Sequence, residues 1–106
     1  MKKRVAYTNQ ALAFAESMPE REQIRLRRIV ARLEDDGYLV APFGEKVEGY
    51  ANLFAIRIAS GRNIRFFYAY AIGDVVWILS GYEKKRQSIP AREIESALSI
   101  RRSLGI

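Results

Sequence analysis

Three short segments rich in β-branched and aromatic residues follow one another in the second half of the chain, at residues 52–59, 64–71 and 75–80. The connections between them are only a few residues long and contain Gly61 and Gly73. Connections this short join antiparallel neighbours, because a parallel pair of strands needs a crossover of about a dozen residues or more. The sequence therefore predicts an antiparallel meander of three strands.

Two helices are predicted before the meander. Thr8 is an N-cap signal after a short β-compatible start at residues 3–7, and Pro19 fits the first turn of a second helix. Apolar residues recur at helical spacing through residues 20–36, and Gly37 follows as a typical C-terminal signal. The opposite side of this second helix carries four arginines, which suit either a solvent-exposed face or a docking surface: Arg21, Arg25, Arg28 and Arg32.

The remaining segments give one irregular connection and one further helix. Residues 38–51 show no regular spacing of apolar residues and contain a proline and two glycines, so we expect an irregular connection with at most one short turn. A last helix is expected over about residues 90–103, giving the order β-α-α-β-β-β-α. A chain of 106 residues is too short for two good cores, so residues 1–106 are expected to form a single domain.

Composition limits the chemistry available to such a domain. The chain has no cysteine and no histidine, which excludes disulfides, thiolate nucleophiles and imidazole bases or ligands. Any reaction must use Arg, Lys, Tyr, Ser or carboxylates, and we expect neither a metal nor another cofactor. No apolar run approaches the roughly 20 residues of a membrane span, and no signal peptide is evident. We therefore expect a cytoplasmic protein without a membrane partner.

Positive charge is concentrated in the second half of the chain. Residues 52–106 contain nine basic and four acidic side chains, whereas residues 1–51 contain nine and eight. The formal net charge is +6. An excess of this kind favours a polyanionic partner such as a nucleic acid.

Two arginines interrupt the apolar alternation of neighbouring strands. Arg57 and Arg65 each stand among small or apolar residues on one face of their strands, so both guanidinium groups are expected to converge on one patch. Guanidinium holds phosphate in a bidentate grip and stays charged when it is partly desolvated. We expect Arg65 to contribute most to a reaction at phosphorus and Arg57 to support it. Taken alone, either arginine is also explained by an exposed position on the sheet, where a carboxylate or water accepts the hydrogen bonds of its guanidinium group.

A basic loop follows the third strand of the meander. Lys84, Lys85 and Arg86 lie between this strand and the last helix, and they add positive charge near the same end of the sheet. Tyr82 precedes them, and its side chain suits either stacking on a base, donation to phosphate or ordinary packing. Loops of this composition are often only solvated surface. Four basic residues, one of them in this loop, are predicted to contact RNA: Arg25, Arg28, Arg62 and Arg86.

Three motifs together resemble the HigB-like branch of the RelE/ParE superfamily of toxins from toxin-antitoxin pairs. They are Leu-Phe-Ala-Ile-Arg-Ile at 53–58, Ile-Arg-Phe-Phe-Tyr at 64–68, and Gly-Tyr-Glu-Lys-Lys at 81–85 followed by Gln87 and Pro90. The similarity covers about residues 50–100. It implies an α+β fold in which the helices pack on one side of a small, mainly antiparallel sheet.

The resemblance also implies an activity and a set of partners. A member of this branch would be a cytoplasmic toxin that enters the ribosomal A site and cuts mRNA without a metal, which inhibits translation. Its cognate antitoxin, typically a helix-turn-helix protein encoded adjacently, would silence it, and operator DNA would be bound only through that antitoxin. The family's catalytic positions fall on Arg57, Arg65, Tyr82, Lys84 and Lys85. The general base stays open among Lys84, Lys85 and Glu83.

Three positions depart from the family pattern. Ala55 stands where the pattern has an acid, Ser80 stands where it often has histidine, and residues 104–106 lack a C-terminal tyrosine or histidine. All three concern the active site and not the fold. Two alternatives therefore stay open, namely a ParE-like inhibitor of DNA gyrase and a catalytically silent RNA-binding or protein-binding module.

Overall fold

A computed structural model describes residues 2–106, which contain five strands and three helices. The elements are β1 (Arg4–Tyr7), α1 (Asn9–Ser17), α2 (Glu20–Asp36), β2 (Gly44–Lys46), β3 (Phe54–Ala59), β4 (Asn63–Ala71), β5 (Val75–Glu83) and α3 (Ala91–Ser103). No helix in this part of the chain combines the length and the apolar character needed to cross a membrane.

The strands form one sheet in the order β1-β5-β4-β3-β2. β3, β4 and β5 are antiparallel neighbours, which confirms the predicted meander. β2 adds to β3 in the antiparallel sense, and β1 pairs with β5 in the parallel sense at the other edge. The α+β class and the mainly antiparallel sheet are therefore as predicted.

The helices cover both faces of the sheet. α1 and α2 pack against the face that carries Ile64, Phe66 and Tyr68 of β4. α3 packs against the opposite face, where its Ala97 is buried with Phe67 and other apolar residues. The expectation that all helices pack on one side was wrong in this respect. The reason is that β4 is apolar on both faces, so each face needs a covering layer to exclude water.

The ends of α1 and α2 follow the predicted signals. Thr8 Oγ1 accepts a hydrogen bond from the Ala11 amide at 3.1 Å and donates one to the Leu79 carbonyl at 2.6 Å, so the N-cap also ties α1 to β5. α2 spans the predicted residues and ends at Gly37, which adopts a left-handed φ of 84°. A glycine is favoured there because other residues reach this conformation only with strain.

Two strand predictions were wrong. The segment expected to be irregular contains β2, which pairs with β3 from Gly44 opposite Ile56 to Lys46 opposite Phe54. Three residues are too few for a period-2 pattern to be recognised in the sequence. β5 also continues to Glu83, so Tyr82 belongs to the strand and not to the loop that follows it.

Candidate nucleic-acid interface

A row of three polar side chains crosses the meander. Arg57 of β3 lies opposite Arg65 of β4, and Arg65 lies opposite Tyr82 of β5. Directly opposite residues of antiparallel strands share one face of the sheet. The two arginines therefore lie together, as the strand alternation predicts, and their catalytic role stays a prediction.

Glu45 of β2 interacts with both arginines. The Arg65 Nε donates to Glu45 Oε1 at 2.8 Å, and the Arg57 Nε lies 4.0 Å from the same oxygen. The Arg65 side chain is 5% exposed, whereas the Arg57 side chain is 41% exposed. Arg65 is thus fixed beneath the surface, whereas the Arg57 side chain is partly exposed to solvent although its Nε is buried. Sequence reasoning missed Glu45, because it lies in the segment that was expected to be irregular.

Tyr82 is buried at the end of the row. Its ring stacks on Phe67, with 5.6 Å between centroids and an interplanar angle of 18°. Its hydroxyl is buried and finds no hydrogen-bond partner within residues 2–106. Burial raises the pKa of Tyr82 to about 12; nearby Arg65 opposes this shift, and Glu93 and Glu45 add to it. The phenol therefore stays protonated near neutral pH and suits donation of a hydrogen bond better than proton abstraction.

The basic loop and the strand arginines share one cavity. This cavity, of about 380 Å³, is called here the cationic cavity. Its lining is Arg57, Asn63, Arg65, Lys84, Lys85, Arg86 and Gln87. The Lys84 amide donates to the Asn63 carbonyl at 2.7 Å, which fixes the start of the loop beside the strand turn. A cavity with five cationic side chains and no carboxylate in its lining is suited to bind phosphate.

The three residues considered as a general base are divided between two cavities, and Lys85 lines both of them. Lys84 and Lys85 line the cationic cavity. Glu83 lines a neighbouring cavity at the start of α3, and its Oε1 accepts from Arg62 Nη1 at 3.2 Å. The lysines are therefore the better placed of the three. Within residues 2–106, no three carboxylates lie together in a way that could hold a metal ion.

Arg62 takes part in an ion-pair network on the other side of the β3-β4 turn. Its Nε and Nη2 donate to the two oxygens of Glu22 at 2.8 and 2.7 Å, and Ser60 Oγ donates to Glu22 Oε2 at 2.7 Å. The hydrogen bond from Arg62 is the largest cause that lowers the pKa of Glu22 to about 2, although burial of that carboxylate opposes the shift. These contacts tie α2 to the turn. The prediction that Arg62 contacts RNA stays a prediction.

Arg25 and Arg28 lie on the exposed side of α2. Arg25 Nη1 donates to the Ala59 carbonyl, which holds this side chain against the end of β3. Both arginines line a cavity at the edge of the sheet together with Arg57. Two of the predicted RNA-binding residues thus lie next to the row, although they belong to a different layer of the fold.

Comparison with known proteins gives one family and several related folds. The family model described as "Phage derived protein Gp49-like (DUF891)" matches residues 13–102. A mutant of the toxin RelE from E. coli in the free state is 16% identical, with a TM-score of 0.72 over 93% of this chain and 97% of that chain. No curated protein sequence gives a significant match.

Two complexes contain chains of the same fold. The chain in the archaeal RelE-RelB complex from Pyrococcus horikoshii OT3 is 24% identical, with a TM-score of 0.61 over 81% of this chain and 99% of that one. The chain in the toxin-antitoxin complex RelBE2 from Mycobacterium tuberculosis is 17% identical, with a TM-score of 0.61 over 79% and 100%. Identities this low show a shared fold.

Proposed function

We propose that the chain, which belongs to the Gp49-like family, is the toxin of a type II toxin-antitoxin pair. It has the fold of RelE, which confirms the RelE/ParE superfamily recognised from the sequence. Its proposed activity is ribosome-dependent cleavage of mRNA in the cytoplasm, which inhibits translation, and its proposed branch is HigB-like. The observation that carries the activity is the row of Arg57, Arg65 and Tyr82 beside the cationic cavity.

The proposed reaction uses the RNA's own 2′-hydroxyl as nucleophile. Its oxygen attacks the adjacent phosphorus, the bond from phosphorus to the 5′-oxygen breaks, and the products carry a 2′,3′-cyclic phosphate and a 5′-hydroxyl. Negative charge grows on the phosphoryl oxygens in the transition state, and Arg57 with the loop lysines offers the donors that stabilise it. One of Lys84 and Lys85, acting as a neutral amine, takes the 2′ proton, and the other, as an ammonium, gives a proton to the leaving 5′-oxygen. The ribosome supplies further alignment.

The proposed partners are an antitoxin, the ribosome and mRNA. Two proteins with this fold are known from complexes, one named as the toxin-antitoxin complex RelBE2 and the other as a RelE-RelB complex. An antitoxin with acidic segments would be attracted to the cationic cavity or to the α2 arginines, mainly through a faster association rate. A short adjacent reading frame that encodes a helix-turn-helix protein would support this assignment, and operator DNA would then be bound through that protein.

The test is induced expression followed by mapping of RNA ends on programmed ribosomes. We expect growth arrest and cuts within the codon in the ribosomal A site. Arg57→Ala should reduce the cuts by about 10²–10³-fold, whereas Arg102→Ala, at an exposed position near the end of α3, should leave them unchanged. Loss of DNA supercoiling with intact mRNA would instead assign the protein to the ParE-like gyrase inhibitors.

A catalytically silent binding module is the second candidate. It is favoured by the contact between Glu45 and Arg65, because a carboxylate already occupies one of the donors that a phosphate would use. This candidate predicts that the protein binds RNA or ribosomes but leaves mRNA uncut. Co-sedimentation with ribosomes in the absence of new RNA ends would decide in its favour.

A further inference from the structure

A third cavity lies at the edge of the sheet where β2 ends. β2 pairs with the first three residues of β3 only, so β3 has no strand partner on this edge beyond Ile56. Two contacts cover that stretch: the Arg57 amide donates to the Phe43 carbonyl at 2.9 Å, and Arg25 Nη1 donates to the Ala59 carbonyl. The cavity formed there, called here the edge cavity, measures about 300 Å³. Its lining is Arg25, Arg28, Ile29, Phe43, Arg57 and Ile58.

Phe43 is the aromatic side chain of this cavity, and it is 37% exposed. An aromatic ring left this accessible loses the benefit of burial and offers a flat surface for another planar group. The Arg32 guanidinium lies over the ring, 5.3 Å from its centroid, and covers part of it, whereas another part of Phe43 lines the edge cavity. The ring thus remains available to a ligand that enters the edge cavity.

The charge of the edge cavity matches a nucleic-acid backbone. Three of its six lining residues are arginines, and none is acidic. Arg25 is held in place by the Ala59 carbonyl, and the buried Nε of Arg57 has no hydrogen-bond partner among the described residues. Cationic side chains around an exposed aromatic ring are the combination by which proteins bind single-stranded nucleic acid, because charge holds the phosphates and the ring stacks on a base.

Arg57 connects the edge cavity to the cationic cavity, since it lines both. A phosphate held by Arg57 on one side would therefore place the adjoining nucleotide on the other side. We propose that the edge cavity binds the nucleotide of single-stranded RNA next to the one in the cationic cavity, with its base stacked on Phe43. This inference rests on the proposed function, because it takes RNA as the substrate, but it is tested by binding alone.

The experiment measures the affinity of the full chain for a fluorescein-labelled 2′-O-methyl hexanucleotide, which has no free 2′-hydroxyl and cannot be cut by the proposed reaction. Phe43→Ala should weaken binding by about 10-fold or more, the usual effect of removing one base-stacking ring. Phe43→Leu should weaken it similarly, because leucine keeps the apolar contact but cannot stack. Phe43→Tyr should bind within about 3-fold of the original protein, because its ring stacks as well. Tyr50→Ala removes another exposed aromatic ring outside the three cavities and should have no effect.

A second set of oligonucleotides identifies the base. Each of these hexanucleotides lacks the base at one position. The one that lacks the base stacked on Phe43 should bind the original protein weakly, and its affinity should not fall further with Phe43→Ala, because the stacking partner of the ring is already absent. Thermal unfolding of each variant checks that the fold is kept. Equal affinity of Phe43→Leu and the original protein would overturn the inference, and so would absence of binding to any hexanucleotide at low salt. Failure of the proposed function would appear separately, as mRNA left uncut on ribosomes.

Discussion

Arg57 and Arg65 face each other across β3 and β4, yet the first is 41% exposed and the second is 5% exposed in its side chain. The difference in exposure follows from Glu45, which accepts a hydrogen bond from the Nε of Arg65 at 2.8 Å and lies farther from the Nε of Arg57. The pair is therefore divided into a guanidinium that can reach a substrate and one that supports the surface beneath it.

This difference in exposure reverses the expected order of the two arginines in their contribution to cleavage, so that Arg57 comes before Arg65. Arg57→Ala should reduce cleavage by about 10²–10³-fold, because one donor to the transition state is lost, and should leave the free energy of unfolding nearly unchanged. Arg65→Ala should reduce both the cleavage rate and the free energy of unfolding, because it leaves Glu45 without the hydrogen bond from Arg65. Single-turnover cleavage and urea unfolding measure the two effects. A stable, fully active Arg57→Ala variant would remove this residue from the site.

Glu45→Gln tests whether this carboxylate competes with the substrate. Removing its negative charge from the arginine pair should tighten binding of the 2′-O-methyl hexanucleotide and steepen its dependence on salt. Glu48→Gln, at an exposed position shortly after β2, is the matched control. If affinity is unchanged while the cleavage rate collapses, Glu45 acts as the general base and the competition model is wrong.

Tyr82→Phe removes a hydroxyl that lacks a partner among the described residues. The variant should be as stable as the original protein or more stable by about 1 kcal/mol, because a buried unsatisfied polar group is costly. Its cleavage rate should fall if the phenol donates to the reacting phosphate. Because the pKa of Tyr82 is raised to about 12, the dependence of the cleavage rate on pH should show no ionisation of Tyr82 up to about pH 10.

Glu22 should make folding stability sensitive to acid. Its folded pKa of about 2 lies below the ordinary value of 4.5, so its stabilising contribution is present above pH 4.5 and is lost as the pH falls towards 2. Glu22→Gln should lower the free energy of unfolding at pH 7 by about 1–3 kcal/mol. The difference between the two proteins should shrink when unfolding is measured at pH 3. A difference that is the same at both pH values would contradict the assigned network.

Gly81 lies where α1 approaches the sheet. A Cβ atom there would stand 2.7 Å from atoms of both the Phe14 and Phe66 rings. Gly81→Ala should therefore destabilise the fold by about 1–3 kcal/mol through overpacking. Combining it with Phe14→Leu should cost less than the sum of the two single changes, as a double-mutant cycle in urea would show.

Local signals in the sequence predicted much of the fold. The bounds of α2 follow from its apolar spacing and from Gly37, and the meander follows from its short connections. The face covered by α3 could not be predicted, because an amphipathic pattern shows that a helix buries one side but not against which layer. Ala97 packs on the face opposite to α1 because both faces of β4 are apolar.

The candidate site was predicted only in part, and for a related reason. Strand alternation places Arg57 and Arg65 on one face, since that property depends on residues close together in the chain. The partners that tune the site come from distant segments. Glu45 and Phe43 lie in a segment without periodicity, and Glu22 reaches Arg62 from 40 residues away, so no local pattern indicates these contacts.

The parallel pairing of β1 with β5 has a consequence for the timing of biosynthesis. The strand at the start of the chain finds its partner only at residues 75–78, and the row of Arg57, Arg65 and Tyr82 is complete only with β5. Because synthesis proceeds from the N-terminus, a growing chain carries β1, α1 and α2 without the sheet that they cover. The cationic surface is therefore completed late, and a chain interrupted before β5 lacks the full row of Arg57, Arg65 and Tyr82.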